Sequence, residues 1–585
     1  MNWITKNLNP NSILNIRERR VGIGQNEVLF LDIELTFRQE EVPQPVVLKC
    51  RFDDLGVYST WGNSGVISER YVLKSWKKNI TKSRFSSGLP LHALVSLGGR
   101  NRLTVALSDA AVSSMIGTGV VEETAEIELE IQLFTQPQNA IKEYRATVYL
   151  DFGDKRYEDA IRGAVDWWKC ECGYDSAPVP DTARRPMYST WYSLHQAVDS
   201  TAIVEQCRMA KALGMECVIV DDGWQTDDAA RGYAYCGDWV VSSSKIPDMK
   251  AFVDAVHATG MKIMLWYSIP FVGKYSEAYS RFSDMFLGLR ERNADGSVAI
   301  LDPRYPEVRE YLLMLYENAV RDWDIDGLKL DFIDSFQLFQ TTVAEDSRRD
   351  IVSLEESVDR LLYDITKRLR AIKPEIMIEC RQSYIGPNIR RCGNMLRVRD
   401  CPGDALVNRR SVIDLRLTSD IAAVHSDMIM WNLNDCVENA ATQLIATLFS
   451  VPQISMLLHQ LPDQHRKMLA FYLEFWNQNQ EVLLDGELYA ENPEANYSVV
   501  SAVKNRHQVS VVYVERPVKV KDVIDFVSIV NGTAEDILNI RFAEGLGEKS
   551  YVIYNCMGEP VEQGSVDCYG LKEFHVPAAG MIEIK

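Results

Sequence analysis

The sequence of 585 residues lacks the features that would tie a protein to nucleic acid or to a membrane. Lys and Arg number 63 against 82 Asp and Glu, and the net charge of -19 repels phosphate backbones and anionic lipid surfaces. No run reaches the ~18 uninterrupted apolar residues of a membrane span, and the N-terminus lacks the apolar core of a signal peptide. We therefore expect neutral partners, no nucleic acid, no membrane and a cytoplasmic location, unless a signal sequence has been trimmed.

Metal and nucleotide motifs are also missing. The 12 cysteines include no CxxC pair, so a structural zinc site is not expected, and their scattered positions are typical of a reduced compartment. The sequence has no P-loop and no GxGxxG loop. We accordingly predict no cofactor and no metal.

Length and patterning predict three domains, because a chain of this length exceeds one hydrophobic core. Apolar and polar positions alternate in segments such as AEIELEIQLF and YRATVYLDF, which predicts an N-terminal β-sandwich over residues 1–180. Short apolar runs then alternate with helical stretches over residues 181–478. Strand patterns return in residues 479–585 and predict a small C-terminal antiparallel β domain.

The middle region predicts a (β/α)₈ TIM barrel and thus a multidomain α/β protein. Eight short apolar runs, each followed by a helical or loop stretch, match the size and order of that fold. The predicted strands are residues 187–193, 216–224, 262–271, 327–334, 375–382, 395–400, 422–432 and 453–459. A doubly wound open sheet is the alternative.

Polar residues gather where these predicted strands end. In a (β/α)₈ barrel the carboxyl ends of the strands converge on one mouth, and active sites are found there. A structural protein has little reason to collect carboxylates where burial makes unpaired charge costly. Candidate site residues at these ends are Trp191, His195, Asp221, Asp222, Trp224, Trp266, Lys329, Asp331, Cys380, Arg381, Asp400 and Asp404. For His195 a purely structural role is equally consistent with the sequence.

The fourth predicted strand ends in the most informative segment, Lys329-Leu330-Asp331. Residues i and i+2 of a strand share one face, so the Lys329 ammonium should hold the Asp331 carboxylate ionised. An ionised carboxylate suits attack on the anomeric carbon of a sugar. A strand-end salt bridge without catalytic purpose is the alternative for this pair.

A two-carboxylate glycosidase also needs an acid that protonates the leaving oxygen. Asp400 is expected to close the sixth strand and to face the mouth, whereas Asp404 lies beyond a Pro-Gly turn and could cap the next helix. Asp400 is therefore the preferred acid/base. Aromatic rings beside carboxylates form a sugar-binding surface, which favours a carbohydrate substrate.

Four segments, in order, resemble family 36 of the glycoside hydrolases, the α-galactosidase family. They are Asp221-Asp222-Gly223-Trp224, Leu265-Trp266, Lys329-Leu330-Asp331, and Arg399-Asp400 with Asp404-Ala405. The resemblance implies retaining, exo-acting hydrolysis of a terminal α-galactoside without a metal. The Asp-Asp-Gly-Trp-Gln form also resembles raffinose synthases, which transfer galactose to another sugar.

The resemblance implies roles for the matching residues. Asp331 matches the nucleophile and Asp400 the acid/base, and for double displacement their carboxyl groups should lie roughly 5–6 Å apart. Positions that match the sugar-binding subsite are Asp221, Asp222, Trp266 and Lys329. A homo-oligomer is a further possibility.

The sequence departs from familiar members after the fifth strand. Where many carry a Cys followed by a glycine-rich run, this chain has Glu379-Cys380-Arg381-Gln382-Ser383-Tyr384, so we expect a reshaped pocket wall. An N-acetylgalactosaminide, another α-glycoside or transfer to an acceptor sugar therefore stays open. Two further alternatives are a metal-dependent barrel enzyme, which Lys329 within the cluster disfavours, and a sugar-binding protein without catalysis.

Overall fold

A computed structural model describes residues 2–22, 27–54, 56–62, 75–229, 232–290, 297–521, 524–542 and 546–585. These residues form an N-terminal β-sandwich, a closed parallel barrel and a C-terminal β domain. The predicted fold class is confirmed. Within the described residues, no helix has the length and apolarity needed to cross a membrane.

The N-terminal sandwich consists of two antiparallel sheets, each with six strands in the described part of the chain. In order across the first sheet the strands are Ile4–Asn7, Val46–Phe52, Ile127–Leu133, Ser114–Val120, Asn79–Arg84 and Ser87–Gly88. In the second sheet they are Ser12–Val21, Val28–Glu41, Ile141–Asp151, Asn101–Leu107, Leu91–Val95 and Ser59–Trp61. Inward residues such as Leu31, Leu48 and Leu129 are fully buried, as the period-two alternation requires.

The barrel is closed by eight parallel strands that follow one another in chain order. From strand 1 to strand 8 they are Met187–Ser189, Cys217–Val220, Lys262–Ser268, Gly327–Asp331, Met377–Arg381, Met395–Arg397, Ala423–Ile429 and Val451–Ile454. Seven of the eight fall within a predicted run, and Val451–Ile454 begins two residues before its run; all eight end earlier than predicted because the chain passes into a loop or short helix at the mouth. Several candidate site residues therefore lie just beyond their strands.

Helices cover the outside of the barrel. The longer helices of the described chain are Tyr157–Cys172, Ser200–Ala212, Met249–Ala258, Pro306–Trp323, Leu354–Ile372, Ala405–Thr418, Val437–Ile445 and Asp463–Asp485. Short α-helices are Trp191–Leu194, Glu277–Arg281 and Pro387–Arg390, and single 3₁₀ turns are Asp181–Arg184, Ile333–Ser335, Leu458–Gln460 and Pro493–Ala495. Asp199, Asp248 and Ser353 cap the helices that follow them by accepting a hydrogen bond from a backbone N–H three residues on.

A small sheet that the sequence analysis did not predict is inserted after barrel strand 3. Its antiparallel strands, in spatial order, are Phe271–Gly273, Val298–Leu301 and Phe286–Leu289. Because Phe286–Leu289 leads directly into Arg290, this sheet places an arginine over the barrel mouth.

The C-terminal domain begins later than predicted. The helix Asp463–Asp485 runs across the predicted boundary between residues 478 and 479, because its buried face continues through Val482 and Leu483. One sheet of the domain contains, in spatial order, Glu487–Glu491, Val499–Lys504, His507–Val512, Phe526–Asn531, Met581–Ile584, Glu548–Tyr554 and Pro560–Asp567. The other contains Val518–Lys519, Ile537–Phe542 and Gly570–His575. Most pairs are antiparallel; the pairs of His507–Val512 with Phe526–Asn531 and of Val518–Lys519 with Ile537–Phe542 are parallel.

The N-terminal domain braces one side of the barrel mouth. The backbone N–H of Gly88 donates to the carbonyl of Ser383 at 2.7 Å, and Arg84 Nη2 donates to the carbonyl of Asp334 at 2.8 Å. Gly88 has φ +80°, and a Cβ there would collide with the Lys82 carbonyl, so the hairpin requires glycine. Part of the pocket wall is thus fixed from outside the barrel.

Candidate active site

A cavity of about 310 Å³ opens at the carboxyl ends of the barrel strands. Its lining carboxylates are Asp221, Asp222, Asp331, Asp334 and Asp400. Its lining cations are Arg290, Lys329, Arg381, Arg397 and Arg399. The aromatic part of the wall consists of Trp191, Tyr233, Trp266 and Phe332, and Gln382 and Ser383 complete it. The size is that of a small-ligand pocket, and the lining pairs acids with bases.

Asp331 lies at the end of barrel strand 4, and its two carboxylate oxygens are held unequally. Oδ1 accepts hydrogen bonds from Arg381 Nε at 2.6 Å, Tyr384 OH at 3.1 Å and its neighbour's backbone N–H at 2.8 Å. Among the described residues, Oδ2 accepts one bond, from Trp266 Nε1 at 3.0 Å. Oδ2 is therefore the oxygen with lone-pair density available for a reaction.

The electrostatic surroundings keep Asp331 ionised. Burial alone would raise the pKa of this carboxyl, but Arg381 and Lys329 outweigh burial and hold its pKa well below the usual range. The prediction that Lys329 favours the ionised form is consistent with this direction. Arg381 makes the direct ion pair, so it has the larger influence of the two cations.

The Lys329 ammonium bonds to a different carboxylate from the one predicted. Lys329 Nζ lies 2.5 Å from Asp221 Oδ2, and both side chains are almost completely buried. Asp221 follows strand 2, which lies two strands away in the barrel, and its carboxylate occupies the space beside the ammonium. The predicted Lys329–Asp331 pairing is thus replaced by a Lys329–Asp221 pair.

Asp222 lies next to this pair and is equally buried. Its oxygens accept hydrogen bonds from Gln225 Nε2 and Gln196 Nε2, both at 2.7 Å. Burial, with a smaller contribution from the neighbouring Asp221 charge, raises the pKa of Asp222 to about 6. The side chain can therefore change protonation near neutral pH while it faces the cavity.

Asp400 lies in the same cavity but not on the strand. Strand 6 ends at Arg397, so the prediction that Asp400 closes the strand is wrong; Asp400 lies three residues beyond the end of the strand. The side chain is 53% exposed and pairs with Arg397 Nη1 at 2.9 Å. The cavity walls would raise the pKa of Asp400, but Arg397, Arg381 and Lys329 together lower it below its ordinary value. The free protein therefore favours the ionised form.

Arg397 connects Asp400 to a buried network under the pocket. Its Nη1 also bonds Asp427 Oδ1 at 2.6 Å, and its Nε lies 3.4 Å from Glu379. Tyr192 OH donates to the other Asp427 oxygen at 2.9 Å. Because these groups are buried and shared, Arg397 is rigidly placed and fixes where the Asp400 carboxylate can lie.

The aromatic wall is built around Trp266 on strand 3. Its ring stacks on Tyr233 with centroids 6.1 Å apart, and Phe332 meets it edge-on at 6.5 Å. Apolar ring faces next to carboxylates suit a pyranose, which presents C–H bonds on one side and hydroxyls at its edge. The predicted cavity positions of Trp266 and Trp191 agree with the structure.

Two predicted sugar-binding residues point away from the cavity. Trp224 is fully buried, donates from Nε1 to the carbonyl of Trp266 at 3.0 Å and stacks on Trp239, because the turn at Gly223 directs it into the core. Cys380 is also a core residue, since its strand neighbours Glu379 and Arg381 take the inward positions. Both predictions are wrong.

Two others lie outside the cavity lining as well. The Asp404 carboxylate accepts a hydrogen bond from the backbone N–H of Val407 at 3.0 Å and caps the helix Ala405–Thr418, the role that sequence reasoning kept as its alternative. The His195 ring packs edge-on against Trp191 at 5.0 Å and is not among the cavity-lining side chains. The structure places neither side chain in the cavity lining, and a sugar-binding role for either stays a prediction.

Several cavity residues were missed because they lie on loops or far away in the chain. They are Tyr233, Arg290, Phe332, Asp334, Gln382, Ser383, Arg397 and Arg399. The Arg397-x-Arg399-Asp400 run was visible in the sequence, and its charge could have identified both arginines. Tyr233 and Arg290 follow no strand pattern that would have located them.

The carboxylates that could coordinate a divalent metal are already paired with cationic side chains. Lys329 pairs with Asp221, and Arg381 and Arg397 pair with Asp331 and Asp400. In the described ranges, no group of three or more His, Cys, Asp or Glu side chains has the arrangement of a metal site. The side chains present thus fit an organic substrate better than a metal ion.

Comparison with known proteins agrees with the barrel fold. The Melibiase family model matches residues 179–388. The α-galactosidase AgaA of Geobacillus stearothermophilus is 28% identical over 156 residues, which cover 26% of this chain and 21% of AgaA. The barrel segment of the chain is thus similar to α-galactosidases.

Solved structures of family 36 enzymes share the fold across almost the whole chain. The AgaA crystal structure in complex with raffinose has a TM-score of 0.63 at 15% identity and covers 98% of this chain and 81% of that one. The galactosidase domain of AgaSK has a TM-score of 0.65 at 13% identity, with coverages of 100% and 85%. The sequence matches to the curated α-galactosidases span only about a quarter of their length.

Proposed function

We propose that this protein belongs to glycoside hydrolase family 36 and is a retaining, exo-acting α-galactosidase-like hydrolase with Asp331 as nucleophile and Asp400 as acid/base. The observation that supports this most is that one cavity holds two carboxylates in different surroundings, one buried and one exposed. Asp331 is held ionised by Arg381, and Asp400 faces the same space with an exposed side chain. The predicted separation of roughly 5–6 Å stays a prediction.

The proposed reaction has two displacement steps. Oδ2 of Asp331 attacks the anomeric carbon while the glycosidic C–O bond breaks and Asp400 donates its proton to the leaving oxygen. Asp400 then takes a proton from water, whose oxygen attacks the anomeric carbon and releases the Asp331 carboxylate. Two inversions give overall retention.

The other pocket groups would bind and orient the sugar. Asp221 and Asp222 offer oxygens to vicinal hydroxyls, while the Lys329 ammonium fixes the position of Asp221. The Trp266 ring would cover an apolar sugar face and its N–H already bonds the proposed nucleophile. Hydrogen bonds and an ion pair already hold these groups without substrate, which lowers the entropic cost of orienting the sugar.

The experiment is the hydrolysis of 4-nitrophenyl α-D-galactopyranoside, followed by ¹H NMR of the first sugar released. We expect α-galactose first, before mutarotation. β-Galactose as the first product would contradict the double displacement. If no aryl α-galactoside, α-N-acetylgalactosaminide or α-glucoside released its nitrophenol, the hydrolase proposal would be contradicted and a non-catalytic sugar-binding protein would be favoured.

A second experiment adds an acceptor sugar to the reaction. Formation of a new disaccharide would reveal galactosyl transfer, the raffinose-synthase-like alternative. A cytoplasmic location and a homo-oligomeric state stay predictions.

A further inference from the structure

Three carboxyl groups surround a single arginine, Arg397, at the base of the cavity. Its Nη1 lies 2.6 Å from Asp427 Oδ1 and 2.9 Å from Asp400 Oδ1. Its Nε lies 3.4 Å from Glu379 Oε1. A guanidinium carries one positive charge and keeps its proton in proteins. One cation therefore compensates the charge of at most one of these three acids.

Lys329 and Arg381 have carboxylate partners of their own. Lys329 Nζ lies 2.5 Å from Asp221 Oδ2, and Arg381 Nε lies 2.6 Å from Asp331 Oδ1. Their charges are largely balanced within those pairs, so the excess of acid belongs to the cluster around Arg397. Buried carboxylates that share too little positive charge cannot all ionise. We therefore expect the cluster to bind a proton more readily than a lone carboxylate does.

Asp427 is the acid of this cluster with the closest hold on the arginine. It lies on barrel strand 7 and is fully buried. Its Oδ1 accepts a hydrogen bond from Arg397 Nη1 at 2.6 Å. Its Oδ2 accepts hydrogen bonds from Tyr192 OH at 2.9 Å and from the backbone N–H of Cys401 at 2.6 Å. Three donors thus fix this carboxylate and stabilise its ionised form.

Asp400 has the weaker hold on the same nitrogen atom. Arg397 Nη1 carries two hydrogens, and it donates one to Asp427 Oδ1 and the other to the carbonyl of Val398 at 3.0 Å. Its contact with Asp400 is therefore an ion pair without a hydrogen of its own. The Asp400 carboxylate can turn towards a leaving oxygen without breaking a hydrogen bond to the arginine.

The two acids differ in how they bind a proton. Burial raises the pKa of Asp427, and Arg397 opposes that rise only in part. The pKa of Asp400 is held below its ordinary value, so a proton bound by the pair in the free protein resides on Asp427. Besides Arg397 and Glu379, the titratable or charged groups that face the pair or line the cavity with it are Lys329, Asp331, Arg381, Arg399, Tyr192 and Cys401.

We propose that Asp427 is a positioning residue for the acid/base: it competes with Asp400 for Arg397 and so leaves Asp400 able to hold the proton that the leaving oxygen needs. The inference rests on the proposed hydrolase function. A bound sugar takes water away from the exposed Asp400 carboxylate, which favours its neutral form. Asp400 then binds a proton from water, while Arg397 pairs with Asp427, which releases to water any proton that it held.

The first test is the pH profile of kcat/KM for phenyl α-D-galactopyranoside, whose leaving oxygen needs a proton. In Asp427→Asn the arginine loses its closest carboxylate and its charge acts on Asp400, so the basic limb should shift to lower pH by about one unit or more. Asp364→Asn is the matched control and should not shift it, because Asp364 pairs with Arg360 at 2.6 Å on the outer helix Leu354–Ile372. An unshifted basic limb in folded Asp427→Asn would overturn the proposal.

A milder variant gives a second test, which also decides the matter if Asp427→Asn does not fold. Tyr192→Phe removes the phenol hydrogen bond that stabilises ionised Asp427, so the proton of the pair shifts away from Asp400. We expect kcat/KM for the phenyl galactoside to fall by about tenfold. The value for 2,4-dinitrophenyl α-D-galactopyranoside, whose leaving group needs little protonation, should change by less than about threefold. Equal losses on both substrates would indicate a purely structural role and contradict the proposal.

The proton taken up on sugar binding separates this inference from the hydrolase proposal. Calorimetry of methyl α-D-galactopyranoside with Asp331→Asn at about pH 7, in two buffers of different ionisation enthalpy, counts the protons bound with the sugar. Adding Asp427→Asn or Asp400→Ala should reduce that uptake by at least about half. This result supports the inference even if no glycoside is hydrolysed, which would contradict only the function. Hydrolysis with an unshifted basic limb, and proton uptake that does not depend on Asp427, would overturn the inference and leave the function standing.

Discussion

Arg381 donates a hydrogen bond from Nε to Oδ1 of Asp331 at 2.6 Å, and both side chains are mostly buried. The contact orients the carboxylate so that Oδ2 faces the reaction space with one hydrogen-bond donor, the Trp266 indole. It also explains how a buried acid stays ionised. The predictions below follow from this geometry and from the groups around it.

Replacing Arg381 should move the acid limb of the pH profile. Asp331 must be ionised to attack, and Arg381 lowers its pKa, so activity should persist at low pH in the unaltered protein. In Arg381→Met the pKa of Asp331 rises, and the acid limb of kcat/KM should shift upward by about one pH unit or more. Arg381→Lys keeps the charge and should shift it less. If the acid limb of kcat/KM does not move in Arg381→Met, a group other than Asp331 determines that limb.

The loss of activity in Asp400→Ala should depend on the leaving group of the substrate. Asp400→Ala should reduce kcat/KM for poorly activated α-galactosides by about 10²–10⁴-fold, because their leaving oxygen needs a proton. A dinitrophenyl α-galactoside, whose leaving group needs little protonation, should lose far less in this first step. The basic limb of the pH profile should disappear with Asp400 as well, since protonated Asp400 is lost as pH rises. Equal losses for both substrates would contradict its role as acid.

Asp404 should matter for stability rather than for turnover. Its carboxylate caps the helix Ala405–Thr418, so Asp404→Ala should lower the free energy of unfolding by about 1 kcal/mol. Asp404→Asn can still accept the hydrogen bond and serves as the control. Chemical denaturation measures the first effect, and kcat/KM should stay within about twofold in both variants. A large loss of kcat/KM in Asp404→Asn would reopen its candidacy as acid/base.

Asp222 should make substrate binding and stability depend on pH near 6. Its pKa is raised to about 6, so the ionised form that accepts bonds from sugar hydroxyls is lost as pH falls, and KM should rise below that value. A raised carboxyl pKa has the opposite effect on folding: its contribution to stability is full below the unfolded pKa and is lost as pH rises to about 6. Relative to the unaltered protein, Asp222→Asn should therefore gain stability between about pH 4 and 6. Parallel stability curves for the two proteins would contradict the raised pKa.

Sequence patterns predicted the barrel well because its strands are continuous apolar runs with β-branched residues, such as the one that contains Cys217–Val220. The inserted strands Phe271–Gly273, Phe286–Leu289 and Val298–Leu301 were missed because three or four residues carry too little periodicity. The helix Asp463–Asp485 crosses the predicted domain boundary after residue 478, because its buried face continues through Val482 and Leu483.

Site residues could be predicted where a local sequence motif located them. They could not be predicted where residues from distant segments decide which groups pair. Asp331, Asp221 and Trp266 lie at strand ends, and their cavity positions followed from the barrel rule. The partner of Lys329 could not be derived from its own strand, because Asp221, 108 residues earlier, approaches the ammonium more closely. Trp224 was misplaced for a related reason: the turn at Gly223 decides its direction, and strand alternation does not.

The most direct test of the central claim is chemical rescue of Asp331→Ala, in which the missing carboxylate leaves room for a small anion. We expect turnover of 4-nitrophenyl α-D-galactopyranoside to fall by at least about 10³-fold, and external azide to restore nitrophenol release with β-galactosyl azide as the product. Asp400→Ala, which keeps the nucleophile, should give the α-azide instead. Full activity of Asp331→Ala without azide, or an α-azide from that variant, would contradict the account.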